Sequence, residues 1–163
     1  VADLVTHTCV VLLPAVGARW RWAGVCALGA ALPDLGGRVV PIGLAVVHAR
    51  LVTVPEVLVW PWVALHEPVG VTLVAALVAQ LFVERRAAFG VLLLGVASHL
   101  ALDLLQFHHG RGYTLAAPFS TARFELGWID SEATVPLAMP LLAATAAVAA
   151  WRWWEHRRAR QAV

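Results

Sequence analysis

Apolar runs, each closed by a short charged or proline–glycine break, recur along the chain. A helix that crosses a bilayer needs about 20 mainly apolar residues, with a range of roughly 17–25. Three runs suit that length. Pro68–Val83 stops at Glu84-Arg85-Arg86, Ala87–Phe107 ends at His108-His109-Gly110-Arg111, and Val135–Trp151 runs into a tail with Arg152, Arg157, Arg158 and Arg160. Two shorter runs come earlier. Leu4–Val16 carries Pro14 near its end, and Trp20–Leu32 is followed by Pro33-Asp34-Leu35-Gly36-Gly37, a string of turn-forming residues that predicts a helix stop. Both are short for a full crossing and predict a tilted or partly inserted helical hairpin. Between Arg38 and Leu65 the chain is apolar but broken by Pro41, Pro55 and Pro61 and by Arg50 and Glu56. This predicts an interfacial or re-entrant piece, with Trp60 and Trp62 at headgroup level. A second such region is expected from Gly110 to Thr134, which holds Arg123, Glu125, Asp130 and Glu132. The fold class expected is all-α: a polytopic transmembrane helical bundle of about five segments, forming one integral membrane domain over residues 1–163.

Composition strengthens the membrane reading. Apolar residues make up 61% of the chain and charged residues 13%, with a mean hydropathy of +0.77. Soluble domains run to roughly 45–50% apolar and about 25% charged, so an ordinary soluble domain is excluded. A net charge of +2 carries no nucleic-acid footprint. Every basic side chain is Arg, amid abundant Ala, Val, Leu and Gly, which is the composition a GC-rich bacterial genome encodes. The expected location is therefore the bacterial inner (cytoplasmic) membrane. Cys9 and Cys26 sit within apolar runs and read as small packing residues. The opening VADLVTHT lacks the basic region and small-residue cleavage site of a secretory signal. With five crossings, one side holds Arg19, Arg21, Arg85, Arg86 and the four tail arginines, and the other holds Arg38, Arg50, Arg111 and Arg123. Arginine excess marks the cytoplasmic side, so the N-terminus is expected outside and the C-terminus inside. Trp151, Trp153 and Trp154 then form an inner aromatic belt.

Against this background five ionisable residues stand out: His7, Asp34, His66, His99 and Asp103. Such groups cost about 2.5–3.5 kcal/mol each at a helix centre and mark functional sites by default. The topology brings all five to one depth near the outer surface, from four separate segments. His99 and Asp103 are four residues apart and share one helix face. With Gln106 they form a polar stripe on an otherwise lipid-like helix. A His and a carboxylate at this spacing can bind one metal ion, since zinc accepts both nitrogen and carboxylate oxygen. Each residue also has a plainer reading. His7 could mark the interface, Asp34 a turn, His66 a helix start next to Pro68, and His99 with Asp103 a buried pair that staples helices. His108 and His109 read as a solvated loop, and His48 and His156, beside arginines, as interfacial.

These residues resemble the YdjM-like family of predicted bacterial membrane-bound metal-dependent hydrolases. Its members show an early His, a Pro-Asp motif closing the second helix, a His at the start of a later helix, and His-x-x-x-Asp on the next. Here these are His7, Pro33-Asp34, His66 and His99-Leu-Ala-Leu-Asp103, followed by Pro118-Phe119. The likeness extends from about His7 to Phe119. Two positions depart from the pattern. Gly36 stands where the family often has a second Asp, and Leu65-His66-Glu67 replaces a frequent Thr-His-Ser.

The resemblance implies a divalent metal ion, with zinc as the leading candidate. His66, His99 and Asp103 would be its ligands, with His7 and Asp34 completing the shell. The implied reaction is metal-assisted hydrolysis, with Asp34 as the first choice of general base and Glu67 as the second. A catalytic zinc site usually has three protein ligands. Five candidates therefore imply either two ions or a carboxylate reserved for proton transfer. Headgroup depth points to membrane lipids as the surroundings and to a lipid or lipid-linked ester or phosphoester as substrate. The competing class is non-catalytic: a membrane carrier, or an ion- or haem-binding protein, using the same His/Asp cluster.

Overall fold

A computed structural model describes residues 4–50, 62, 64–107, 112–130 and 132–161, with side chains in the first range except at 38, 45 and 47–50. The expected interfacial placement of Pro55, Glu56, Trp60 and Pro61, the side chain of His48, and the loop histidines His108 and His109 lie outside the described residues.

The described chain is mostly helical. In order it forms α1 (Leu4–Gly17), α2 (Ala23–Asp34), a π turn (Leu35–Val39), α3 (Val40–Arg50), α4 (Pro68–Ala79), α5 (Arg85–Leu105) and α6 (Ala138–Gln161). A 3₁₀ turn, Glu132–Leu137, leads into α6. Three stretches are long and apolar enough to cross a membrane: Ala23–Leu44, Arg85–Leu105 and Glu132–Gln161. Leu4–Gly17 and Pro68–Ala79 are shorter apolar helices. The all-α expectation holds.

One expected boundary is wrong. The helix that begins at Ala23 does not stop at Pro33-Asp34; it runs on through the π turn into α3. Pro33 supplies no N–H to the helical ladder, and a widened π turn is one way for a helix to absorb such a gap. Gly36 and Gly37 are not stop signals either. They let the segment before α4 lie against this helix. A Cβ on Gly36 would stand 3.3 Å from the Leu65 Cβ, and one on Gly37 would collide with the Cβ of His66. The first part of the expected re-entrant piece is thus a helical continuation of α2.

Packing centres on α2 against α5, which run in the same direction. Their starts are joined by Arg21 to Glu84 at 2.8 Å, and their far ends bring Asp34 and His99 together. The two backbones touch through glycine. A side chain on Gly29 would strike the Leu92 carbonyl, and one on Gly95 the Cys26 carbonyl. Small residues at such contacts are what allows helices to pack closely where lipid removes the hydrophobic drive. Helix α4 joins through a buried stripe of Val71, Ala75 and Ala79 at four-residue spacing. Ala75 and Ala79 pack with Ala88 and Leu92, enclosed by Trp22, Leu28, Phe82 and Phe89. The outward faces carry Leu73, Leu77 and Leu94, all exposed, as lipid-facing positions require.

The arginine-bearing turns and tail meet at one end of this bundle. Arg21 reaches Glu84, and Arg19 reaches Glu155 on α6 at 2.8 Å. At the opposite end the chain beyond α5 folds back as irregular structure. Gln106–Phe107 (β1) pairs in parallel with Ile129–Asp130 (β2), and Tyr113 bridges to Phe124. Leu126 and Trp128 donate their N–H groups to the Leu104 and Leu105 carbonyls at 2.7 and 2.8 Å. Those carbonyls are among the four a helix end leaves unpaired, so the loop closes α5.

Candidate metal centre

His7 lies in the first turn of α1 and Asp34 is the last residue of α2. His66 precedes Glu67, the extended N-cap of α4, with Pro68 opening the helix, a position where its missing N–H costs nothing. His99 and Asp103 occupy the last two turns of α5. The structure brings all five together at the end opposite the arginine cluster, and each is at most 6% exposed.

The distances describe a tight donor set. His99 Nε2 is 3.3 Å from His66 Nε2 and 3.2 Å from Asp103 Oδ2. His66 Nε2 is 3.3 Å from the same oxygen. Asp34 Oδ1 stands 3.6 Å from His66 Nε2 and 4.0 Å from His99 Nε2. His7 Nε2 faces the other oxygen of Asp103, Oδ1, at 3.3 Å, and its ring stacks on His99 with centroids 4.1 Å apart. Two groupings, His7 with His99 and Asp103, and Asp34 with His66 and His99, each have ligand atoms close enough to hold a metal ion.

The hydrogen bond of His99 decides its chemistry. Its Nδ1 lies 2.7 Å from the Ala30 carbonyl oxygen. A carbonyl only accepts, so Nδ1 carries a proton and donates, and Nε2 is the nitrogen that faces His66, Asp34 and Asp103. The packed α2–α5 interface supplies this contact, because Ala30 adjoins Gly29 and His99 lies one turn beyond Gly95. The result is a buried cluster rich in acceptors. Ring nitrogens of His99 and His66 and oxygens of two carboxylates converge there. Buried like charges are costly unless neutralised, and a divalent cation would balance two carboxylates. Ligands about 2.0–2.2 Å from a tetrahedral ion lie about 3.3–3.6 Å from one another. The His66–His99–Asp103 triangle, with edges of 3.2–3.3 Å, matches one face of that tetrahedron. The buried His/Asp groups could hold a metal ion.

Residues 4–162 match the YdjM inner membrane protein family. The chain belongs to that family. No curated protein and no solved structure matches it. The YdjM family is named for the inner membrane, in keeping with the apolar helices. The two positions where this YdjM-family chain departs from the expected motifs lie against each other, since Gly36 packs on Leu65. An Asp at 36 would have to displace the leucine.

One residue near the site was not singled out from the sequence. Tyr113, from the loop after α5, is buried and stacks on His66 with centroids 5.5 Å apart. It is the chain's one tyrosine, but no periodicity marks a residue in an irregular loop. Gln106 continues the stripe of His99 and Asp103 and is 3% exposed, with Oε1 lacking a hydrogen-bond partner. Glu67 is half-buried and, among the described residues, shares no hydrogen bond or ion pair with the five. One of its carboxylate oxygens, Oε2, is likewise unpartnered.

Proposed function

We propose that this chain is a multi-pass inner-membrane hydrolase that depends on a divalent metal ion, with zinc as the leading candidate. Its site would lie near the extracytoplasmic surface and act on a lipid or lipid-linked ester or phosphoester. The observation that carries the reading is the His66–His99–Asp103 triangle, spaced like a face of a zinc tetrahedron and buried.

When bound, such an ion would acidify water and polarise the scissile group. The chain's own residues then divide the work. His66, His99 and Asp103 would hold the ion. His99 keeps its lone pair inward because Ala30 holds its Nδ1 proton, an arrangement common to metal-ligating histidines. His7 faces Asp103 Oδ1 and fixes that carboxylate's orientation, or joins the shell through it. Asp34 sits farther out than the triangle. That suits either a fourth ligand or a general base that takes the proton from attacking water. Glu67 is the second choice for the base. Gln106, with its free Oε1, and Tyr113, over His66, are suited to contact substrate. The close stack of His7 on His99 leaves no slot for a planar haem between facing imidazoles.

The test is metal analysis of detergent-purified protein, with and without His99→Ala. Wild type should carry about one divalent ion per chain, since His99 has a single lone pair to offer, and the variant should carry none. A wild type that holds no ion, and takes up none from added zinc, manganese or cobalt, would overturn the hydrolase reading.

A further inference from the structure

At the end of the bundle away from the metal centre, α1 stops in an unusual way. Arg19 adopts a left-handed backbone with φ +57°. Its N–H donates to the Val16 carbonyl at 3.0 Å, and the next N–H, of Trp20, donates to the Ala15 carbonyl at 2.9 Å. This is the Schellman ending of a helix, whose left-handed position is normally glycine because a Cβ is disfavoured there. Here an arginine takes it, and the turn sends its side chain to α6. Arg19 Nη2 reaches Glu155 Oε2 at 2.8 Å. Arg152 Nη1 reaches the same oxygen at 3.0 Å, and its Nη2 donates to the Gly17 carbonyl at 2.6 Å. One carboxylate oxygen thus holds two guanidinium groups side by side, with one positive charge left over. Nε and Nη1 of Arg19 and Nε of Arg152 have no partner among the described residues.

These groups line a cavity of about 500 Å³ between the α1–α2 turn and α6, together with Trp20, Trp153 and His156. Its remaining walls, among them Val16 and Ala23, are apolar. We propose that this cavity is a binding site for an anionic phospholipid. The two arginines would hold the phosphodiester, and the indoles and apolar wall would hold the glycerol and upper acyl chain. Planar guanidinium forks suit phosphate oxygens. The apolar half of the wall favours a lipid over free phosphate, which would be solvated on every side. Arg157 and Arg158 lie on the Trp153 and Trp154 rings, at 4.2 and 3.6 Å, as residues at headgroup depth do. The bound lipid would tie α6, which is mostly exposed along its length, to the end of α1. The proposal is independent of the metal centre.

The test is native mass spectrometry and thermal unfolding of the full chain in detergent, with added phosphatidylglycerol, phosphatidylcholine or inorganic phosphate. Wild type should retain one phosphatidylglycerol with about a tenfold preference over phosphatidylcholine, judged from the usual worth of an arginine at an anionic lipid surface. Arg19→Gly should lose about fivefold of that preference while unfolding no earlier without lipid, because glycine suits the turn. Arg152→Gln should lose it similarly. Arg160→Gln, outside the cavity, should keep it. Equal retention of the two lipids, an Arg160→Gln loss as large as that of Arg19→Gly, or stabilisation by inorganic phosphate matching that by the lipid would each overturn the proposal.

Discussion

Gly37 has no room for a side chain because the Cβ of His66 occupies the place where one would stand. A candidate ligand from the segment before α4 is thereby held against the helix that carries another, Asp34. Gly37→Ala should push His66 out of line with His99 and Asp103. Losses of one positioning contact at metal sites typically cost about 10–100-fold in affinity. Titration with zinc should show a drop of that order. Gly43→Ala, where nothing lies within 4 Å, should bind as wild type does. Equal affinity in both variants would mean that His66 does not depend on this contact.

The α2–α5 seam should be equally intolerant of added bulk. Gly95→Ala places a methyl on the Cys26 carbonyl, and overpacking of this kind costs about 1–3 kcal/mol. Gly90→Ala on the same helix meets nothing within 4 Å and should gain about 0.5–1 kcal/mol from helix propensity. Thermal unfolding in detergent should rank the variants in that order. The reverse order would show that the helices do not meet through Gly95.

Some of this architecture was open to reading from the residues alone, for physical reasons. His99 and Asp103 share a face because helical periodicity dictates it, and their burial among leucines makes them conspicuous. The matched depth of His7, Asp34 and His66 followed from counting crossings. The end of α2 was misread because Pro33-Asp34-Leu35-Gly36-Gly37 is written in the residues of a turn. Local propensity cannot tell a glycine that breaks a helix from one that admits a neighbour such as His66. The contact of Ala30 with His99 depends on how two distant helices pack, and Tyr113 comes from an irregular loop. Neither has a local signature.

The orientation can be read by chemical labelling. Arg19, Arg21, Arg85, Arg86 and the α6 tail gather at one end, as the ion pairs to Glu84 and Glu155 attest, and arginine excess marks the cytoplasmic face. Thr121 lies in the exposed loop at the other end, and Ala159 is exposed near the end of α6. The native Cys9 and Cys26 are buried, so they should stay silent. An impermeant thiol reagent added to intact cells should label Thr121→Cys and spare Ala159→Cys until the membrane is opened. Labelling of Ala159→Cys first would invert the bundle and put the His/Asp cluster at the cytoplasmic face.

Metal retention and turnover should separate between the inner triangle and Asp34. His99 and Asp103 are both fully buried and each supplies a corner of the triangle. Replacing either by Ala removes one of very few ligands and leaves its partners unpaired in a poorly hydrated place, so the ion should be lost. Asp34 stands 3.6 and 4.0 Å from the two histidine nitrogens, and Asn keeps its shape and one oxygen while giving up the basic carboxylate. Asp34→Asn should therefore retain much of the ion and lose about 10²–10⁴-fold in turnover of lipid-like esters or phosphoesters, the usual contribution of a general base. Glu67→Gln, the alternative base, should cost far less. If Asp34→Asn loses the ion as completely as His99→Ala, Asp34 is a ligand and not the base. A large loss of turnover in Glu67→Gln with metal intact would then move the proton-accepting role to Glu67.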